Sequence, residues 1–342
     1  MERLLSIIVP AYNVEKFLKK TLDSCEIHNT ELLTQYEVII INDGSTDNTH
    51  NISMNYVNKY KDTQTFRILD KNNGGYGSTI NMGISVAKGK YVKILDGDDW
   101  YNTIALEKFI SLLTNAKSDA ILTDYTSIDD LTGTQQLCCY TLEPNTIQKI
   151  EDCYIPPKDF NMHGICYQKK FFEQYNIKIT EHCFYTDTEF LLYPFLYVKT
   201  IQYYTINLYQ YRVGREGQSI STSGVLAHIL DHELLIKNMN TYFAREIPEQ
   251  KKLLIDGRIA IVYDSYIRGL LLSSCCKKNY HKLQNFICLI KNNYPERYKI
   301  IVNKKTILLE KSNYLIYLLC CIWHRKIECS NYKYLAKSKR GN

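Results

Sequence analysis

The sequence predicts an α/β fold in which a mostly parallel sheet is followed by a helical C-terminal region. Three observations carry this prediction. Short runs rich in β-branched residues alternate with helical patterns over residues 1–125. Residues 126–225 mix the two patterns, and helical spacing of apolar residues dominates from 226 onward. Strands that alternate with helices form parallel sheets with helices on both faces.

Four strand-like runs and the helical patterns between them order the first 125 residues. The strands are predicted at Leu4–Val9, Glu37–Ile41, Phe66–Leu69 and Tyr91–Leu95. The helices are predicted at Val14–Cys25, from about Asp47 to Tyr60, and after Gly77 to about Ala87. Ligands of such sheets bind at the carboxyl ends of the strands. We therefore expect one cleft to form from the residues that follow three of the strands: Pro10–Asn13, Asp43 and Asp96–Asp99.

Composition indicates a globular chain of about two domains. The 342 residues are 45% apolar and 23% charged, and the 15 glycines and 7 prolines are too few for collagen or a disordered chain. Twelve cysteines are spread along the chain, six of them in adjacent pairs, and no CxxC occurs. We interpret them as reduced thiols of a cytosolic protein, without a zinc site. The eight histidines show no metal-ligand spacing.

The net charge of +6 lies in the C-terminal tail. From Lys311 onward there are seven basic residues and one acid, so residues 1–310 are neutral overall. This distribution predicts contact of the tail with an anionic surface and no nucleic-acid partner. The chain opens without a signal-peptide pattern, and its longest apolar run, Tyr314–Trp323, is too short to span a bilayer.

The cluster Asp96-Gly97-Asp98-Asp99 at a strand end is the first candidate for chemistry. Three carboxylates in four residues repel one another unless a cation or solvent offsets their charge. Oxygen ligands suit Mg²⁺ or Mn²⁺, and a metal there would hold a diphosphate as it leaves. The alternative is a solvated acidic turn that caps a helix.

Two further segments suit a nucleotide. Asp43, at the end of the second strand, can accept hydrogen bonds from a nucleobase or from ribose hydroxyls; its alternative is an Asx-turn before the next helix. Asn73 and Gly74 begin a glycine-rich turn that opens a helix and could bring backbone N–H groups to a phosphate. The alternative for this turn is an ordinary loop.

Asp187, flanked by aromatic residues, is the candidate general base. A carboxylate in a partly dry cleft keeps a raised pKa and can take a proton from a substrate hydroxyl. The alternative is an N-cap of a helix over Glu189–Tyr197. The guanidinium groups of Arg212 and Arg215 could meet a pyrophosphate, or could be ordinary surface arginines.

Five motifs in order resemble a family 2 glycosyltransferase, inverting and with the GT-A fold, whose sheet is Rossmann-like and binds a nucleotide. The motifs are Ser6–Asn13, Glu37–Asp47, Asn73–Gly83, Asp96–Asp99 and Tyr185–Phe190. The resemblance covers about residues 4–225. It implies a donor site for a nucleotide-sugar, usually a uridine one, Mn²⁺ or Mg²⁺ held by Asp96, Asp98 and Asp99, and Asp187 as the catalytic base. The positions it assigns to the nucleotide-sugar are Pro10, Ala11, Tyr12, Asn13, Asp43, Asn73, Gly74, Asp96 and Gly97, with Arg212, Arg215, Gln218 and Ser219 in a segment that closes over the diphosphate.

Two positions depart from the family pattern. Thr79-Ile80-Asn81 stands where an Ala-Arg-Asn sequence is frequent, so a basic residue near the donor is missing; Lys71 or Arg215 could replace its charge. Thr186-Asp187 stands where a Glu-Asp pair is usual. The metal ligands and the base are retained, which favours an active enzyme.

The resemblance implies a domain order and a function. We expect a catalytic domain over 1–225, with the nucleotide-sugar half in 1–125 and the acceptor half in 126–225, and a helical region over 226–342 that binds membrane or forms an oligomer. The expected function is transfer of a sugar from a UDP-sugar to a saccharide acceptor, lipid-linked, in bacterial surface polysaccharide or teichoic acid synthesis, at the inner face of the plasma membrane. Two alternatives remain, a nucleotidyltransferase and a non-catalytic nucleotide-sugar-binding scaffold.

Overall fold

The structure, a computed structural model, describes residues 3–214, 221–302, 304–311, 313–323 and 326. The chain divides into two compact units. The first comprises Met1–Arg215 and Thr241–Lys252, and the second comprises Glu216–Asn240 and Leu253–Asn342. The sequence predicts a single boundary near residue 225, whereas these contacts divide the chain three times.

One mixed sheet forms the centre of the first unit. Its strands are β1 Leu5–Ala11, β2 Tyr36–Asn42, β3 Phe66–Asp70, β4 Tyr91–Ile94, β5 Trp100–Tyr101, β6 Ala120–Asp129, β7 Gln135–Cys138, β8 Ile147–Lys149, β9 Ile165–Gln168 and β10 Thr200–Val213. Their order is β3-β2-β1-β4-β9-β6-β10-β5, with β7 beside β6 and β8 beside β10. Strands β1, β2, β3, β4, β6 and β10 run in one direction, and β9 runs against its two neighbours. The predicted mostly parallel sheet is therefore confirmed.

Twelve named helices occur in the described part of the chain. They are α1 Glu15–Asp23, α2 Thr49–Lys59, α3 Tyr76–Val86, α4 Thr103–Leu113, α5 Lys170–Gln174, α6 Asp187–Leu192, α7 Thr222–Ala227, α8 Ile229–Tyr242, α9 Glu249–Leu272, α10 Lys277–Asn293, α11 Pro295–Ile301 and α12 Lys304–Glu310. Residues 314–323 are also helical. The helix expected over Glu189–Tyr197 starts earlier and stops at Leu192, because Pro194 has no N–H to continue it and starts a separate 3₁₀ turn.

The core of the first unit packs α1, α2 and α4 on the sheet. Every residue of β1 and β2 is buried, which explains why their sequences are continuous apolar runs rather than alternating ones. Among the described residues, no helix combines the length and the apolar character needed to cross a bilayer.

The strand directions decide which residues meet. Parallel strands β1, β2, β4, β6 and β10 end at one edge of the sheet, so the residues that follow them lie on that edge. Because β9 is antiparallel, it begins at the same edge, and the 3₁₀ turn Met162–Gly164 that precedes it is brought there too.

Candidate active site

Asp43 follows β2 and anchors the glycine-rich turn 72–77. Its carboxylate accepts hydrogen bonds from the backbone N–H groups of Gly74 and Gly75, each at 2.9 Å. The Lys71 ammonium donates to the same carboxylate at 2.7 Å. Since Asp43 is almost fully buried, these donors compensate its desolvation. Two N–H groups of the turn that could bring backbone donors to a phosphate therefore bind Asp43 in this structure.

The segment 177–183 packs on α3 and leads into α6. The Asn81 side chain bonds both the N–H and the carbonyl of Ile179, at 2.9 and 2.8 Å. Gly77 approaches so closely that a Cβ atom there would lie 2.0 Å from the Thr180 carbonyl oxygen. These contacts fix the position at which α6 begins, and hence the position of Asp187.

The acidic turn Asp96–Asp99 packs against the end of β1. A Cβ on Gly97 would lie 2.9 Å from the carbonyl oxygen of Pro10, so glycine permits the approach. The hydroxyl of Thr21 lies 3.0 Å from the Gly97 carbonyl and 2.7 Å from the Asp99 carbonyl. The ends of β1 and β4 thus form one edge of the cleft, as expected from the strand order.

Two carboxylates of this turn are held by tyrosines. The Tyr76 hydroxyl donates to Asp96 at 2.6 Å, and the Tyr209 hydroxyl donates to Asp99 at 2.7 Å. The backbone N–H of Arg212 donates to the second oxygen of Asp99 at 2.7 Å. One tyrosine begins α3 and the other lies near the end of β10, so two distant parts of the chain orient these acids.

Both carboxylates are harder to ionise than free ones. Burial, reinforced by the charges of Asp98 and Asp187, raises the pKa of Asp96 to about 7, against the opposing hydrogen bond from Tyr76. Burial also raises the pKa of Asp99 well above its usual range, and the neighbouring Asp98 and Asp96 add to this rise. The cleft therefore disfavours the ionised form of both carboxylates, because they are poorly solvated and close to other acids.

The side chain of His163 lies close to these two carboxylates. Its ring nitrogen and one carboxylate oxygen each of Asp96 and Asp99 all lie within 4.8 Å of one another. The ring stacks on Tyr211, with centroids 4.0 Å apart. Below it, the buried Lys93 ammonium donates to the His163 carbonyl at 2.7 Å. The 3₁₀ turn and the underlying lysine therefore place the imidazole beside the acidic turn.

The donor set of Asp96, Asp99 and His163 fits a divalent cation. Carboxylate oxygens and an imidazole nitrogen are ordinary ligands of Mn²⁺, and a cation would offset both the burial and the repulsion that raise the carboxylate pKa values. Asp98, which we expected to be a ligand, is not in this group of three. Its backbone carbonyl accepts a hydrogen bond from Nε of Arg212 at 3.0 Å.

Asp187 is the half-buried first residue of α6. The N-cap of that helix is Thr186, so the alternative role of Asp187 as an N-cap does not apply. Burial is the main cause that raises the pKa of Asp96 and of Tyr211, and the charge of Asp187 adds to both rises. Asp187 therefore lies within electrostatic reach of the acidic turn.

Glu189, two residues after Asp187 in α6, is a structural acid. Its carboxylate accepts hydrogen bonds from the N–H and the hydroxyl of Thr180, at 2.6 and 2.8 Å, and from Tyr193 at 3.0 Å. Burial raises its pKa. It ties the segment before α6 to the helix itself.

Arg212 supports the acidic turn from β10. Besides its bonds to Asp98 and Asp99, its guanidinium pairs with Asp130 at 2.5 Å and lies over the ring of Trp100 at 5.0 Å. The other expected members of the closing segment, Arg215, Gln218 and Ser219, lie outside the described residues.

The loop after β1 presents an exposed tyrosine. Asn13 has a left-handed backbone, with φ of 51°, and its side chain accepts a hydrogen bond from the Thr46 N–H at 2.9 Å. The Asp43 N–H donates to the Ala11 carbonyl at 2.9 Å. The backbone next to Tyr12 is therefore held near Asp43, and the expected contact of the exposed Tyr12 ring with a nucleobase remains a prediction.

Sequence reasoning missed His163, Lys93, Tyr76 and Tyr209. The sequence could have pointed to Lys93, because a lysine inside an apolar four-residue strand needs a hydrogen-bond partner in the protein interior. No spacing rule links His163 to the acidic turn, which lies more than sixty residues earlier in the chain.

Part of the chain is similar in sequence to known proteins. Residues 6–175 match the family described as Glycosyl transferase family 2. An uncharacterized glycosyltransferase MG025 homolog of Mycoplasma pneumoniae is 37% identical over 107 residues, which are 31% of this chain and 34% of that protein. The glycosyltransferase GlyG of Streptococcus pneumoniae serotype 4 is 33% identical over 134 residues, 39% of this chain and 42% of that protein. The chain thus spans less than half the length of these relatives.

A solved structure matches nearly the whole chain. S. aureus TarS 1-349 in complex with UDP-GlcNAc superposes with a TM-score of 0.64 at 19% identity, covering 98% of this chain and 91% of that one. At this identity the likeness shows the fold, which is a GT-A fold with a helical C-terminal region. Over residues 6–175 the chain belongs to glycosyltransferase family 2.

Proposed function

We propose that the chain is an inverting glycosyltransferase that moves a sugar from a UDP-sugar to a hydroxyl of a saccharide acceptor. The observation that carries this proposal is the convergence of Asp96, Asp99 and His163 at one sheet edge, within electrostatic reach of Asp187. Relatives named as glycosyltransferases and a GT-A neighbour solved with UDP-GlcNAc support the class of donor.

Asp96, Asp99 and His163 would hold the metal. A divalent cation there would neutralise the diphosphate leaving group. The imidazole favours Mn²⁺ over Mg²⁺, because Mg²⁺ takes oxygen ligands almost entirely. Tyr76 and Tyr209 would keep both carboxylates oriented while the donor binds.

Asp187 would act as the general base. Its carboxylate would accept the proton of the acceptor hydroxyl as that oxygen attacks the donor sugar from the face opposite UDP. Glu189 and Asn81 would hold the segment 177–183, and so the start of α6, in place during the reaction. Ile80 is fully buried, so the missing arginine at this position withdraws no charge from the cleft, which favours an enzyme over a scaffold.

The acceptor is proposed to be lipid-linked, at the inner face of a bacterial plasma membrane. Helix 314–323 exposes Leu315, Leu319 and Trp323 at 64%, 60% and 59% of their surface, and their spacing places them along one side of the helix. The sequence that follows is rich in lysine and arginine. An exposed apolar stripe beside basic residues suits the interface of an anionic bilayer.

A thermal-shift panel tests the donor site. UDP, GDP, dTDP and common UDP-sugars are compared with and without Mn²⁺. We expect metal-dependent stabilisation by the uridine compounds, about 2.7 kcal/mol at 100 times the Kd. Stabilisation by GDP alone would reassign the donor, and turnover of a UDP-sugar that persists fully in EDTA would remove the metal from the proposal.

A further inference from the structure

A cavity of about 510 Å³ lies within the first unit, at the end of the sheet opposite the acidic cleft. Its lining includes Lys149 at the end of β8 and Thr200 at the start of β10. The opposite end of β10 carries Tyr209 and Arg212 of the acidic cleft. Eleven or so residues of extended strand separate the two places by roughly 35 Å. The cavity is therefore distinct from the donor site, and its volume suits a small ligand.

A buried ammonium forms part of the cavity wall. Lys251 is only 5% exposed, and its Nζ donates to the Leu196 carbonyl at 2.6 Å. Among the described residues, this is the one hydrogen bond that the ammonium makes, although it has three donors. A buried charge with unused donors is unfavourable unless an acceptor approaches from the cavity.

Two groups offset part of this charge without using its N–H donors: the Phe195 ring, whose centroid lies 5.8 Å from Nζ, and the carboxylate of Asp119. Asp119 acts on Lys251 only as a charge that raises its pKa, and it does not bond the ammonium. The Asp119 carboxylate instead accepts the N–H groups of Lys199 and Thr200, at 2.9 and 3.1 Å, and lies 3.6 Å from the Lys170 ammonium.

The remaining charges of the lining are also mainly positive. Lys149 and Lys199 lie on it with exposed side chains, and Glu151 is its one acid. Glu151 pairs with Lys149 at 3.3 Å. Together with Lys251, the lining therefore attracts anions.

An aromatic pair forms another part of the wall. The rings of Tyr175 and Tyr197 stack with centroids 3.5 Å apart and planes 6° from parallel. Arg245 donates to the Tyr197 hydroxyl at 2.7 Å and fixes that ring. A rigid aromatic surface beside cationic groups suits a ligand that has both an apolar C–H face and an anionic group.

We propose that this cavity binds the oxyanion group, phosphate or carboxylate, of an anionic saccharide or polyol. The oxyanion would accept hydrogen bonds from the Lys251 ammonium, and the carbon skeleton would pack on Tyr175 and Tyr197. This site would hold a part of an anionic glycan chain remote from the point of transfer. Binding of the oxyanion does not depend on the proposed donor chemistry, whereas the role of the site in holding a glycan rests on the proposed function.

Titration calorimetry on the full chain tests this site. The probes are glycerol 3-phosphate and glucuronate, with glycerol and glucose as neutral counterparts, which distinguishes phosphate from carboxylate. We expect saturable binding of at least one anionic probe and none of the neutral ones. Lys251→Met should weaken that binding at least tenfold. Lys252→Met, one position along the same helix and with its side chain 42% exposed, should bind as the unaltered chain does.

Three results would overturn the proposal. The first is an equal affinity of Lys251→Met and the unaltered chain for the anionic probe, and the second is an equal loss of that affinity in Lys252→Met. The third is no binding of either anionic probe at about 10 mM, which is ten times a Kd of about 1 mM. If Lys251→Met does not fold, Lys199→Met provides the test and should weaken binding severalfold. A lost response to UDP with Mn²⁺, alongside retained probe binding, would reject the donor proposal alone.

Discussion

At the scale of single residues, the proposed function depends on one carboxylate, that of Asp187, for proton transfer. We expect Asp187→Asn to lower the rate of sugar transfer by about 10²–10⁴-fold, because the amide cannot accept the proton of the acceptor. The UDP-induced thermal shift should stay unchanged, since Asp187 is outside the metal group. The exposed Asp62→Asn is the matched control. Near-normal turnover of Asp187→Asn would place the base elsewhere.

His163 contributes the one nitrogen ligand to the proposed metal site, whose other two ligands are carboxylates. Replacing it by glutamine should weaken Mn²⁺-dependent stabilisation by UDP, with an apparent metal affinity lower by about tenfold or more. The exposed His281→Gln should leave the metal dependence unchanged. Titration of Mn²⁺ at fixed UDP measures both variants, and identical curves for His163→Gln and the unaltered chain would remove the imidazole from the metal site.

Lys251 also predicts how stability depends on pH. Burial is the main cause that lowers its pKa to about 8 from an ordinary value of 10.5. Between these values the unfolded chain keeps a proton that the folded chain has lost, so the free energy of unfolding rises with pH in that window. Below pH 8 both states are protonated and the effect is flat.

Urea unfolding at pH 7 and at about pH 9.5 measures this contribution. The stability of the unaltered chain relative to Lys251→Met should increase between the two pH values. Lys252→Met should show no such trend against the unaltered chain, because its side chain is half-exposed to solvent. A difference that is constant with pH would show that Lys251 is solvated in the folded state.

At the scale of elements, the contact between α3 and the segment 177–183 decides where α6 begins. Gly77→Ala should destabilise the fold by about 1–3 kcal/mol, because the new methyl group would meet the Thr180 carbonyl. Transfer should fall with it, since Asp187 follows that segment. Ser85→Ala, on the exposed side of the same helix, is the control for both readouts. Unchanged stability of Gly77→Ala would mean that the segment moves without loss.

At the scale of the whole molecule, the C-terminal stripe predicts membrane binding. Replacing both Leu315 and Leu319 by serine should lower co-sedimentation with anionic liposomes at low salt by more than tenfold, since each exposed leucine loses about 1.5–3 kcal/mol of burial. Leu289→Ser, an exposed leucine of α10, should bind as before. Equal sedimentation of the double variant, or none of the unaltered chain, would contradict the proposal.

Much of the cleft could be predicted because its parts are local in sequence. Each strand end and its polar residues form one short motif, so Asp43 and Asp96–Asp99 could be placed at the sheet edge by direction alone. The tyrosine donors, Lys93 and His163 could not, since they reach the cleft through helix packing and strand pairing. Asp98 appeared equivalent to Asp96 and Asp99 in the motif, and only the tertiary structure separates it from the group that Asp96 and Asp99 form with His163.

The sequence by itself determined the alternation of strands and helices, the parallel core and the charge of the tail, because these follow from residue periodicity and composition. The tertiary structure decided which groups meet: His163 with the acidic turn, Glu189 with Thr180, and Lys251 with a cavity far from the cleft. The physical reason is that backbone geometry is encoded over a few neighbouring residues. The distances that set ligand geometry and pKa values arise from pairings across many tens of residues, such as the antiparallel β9 beside β4.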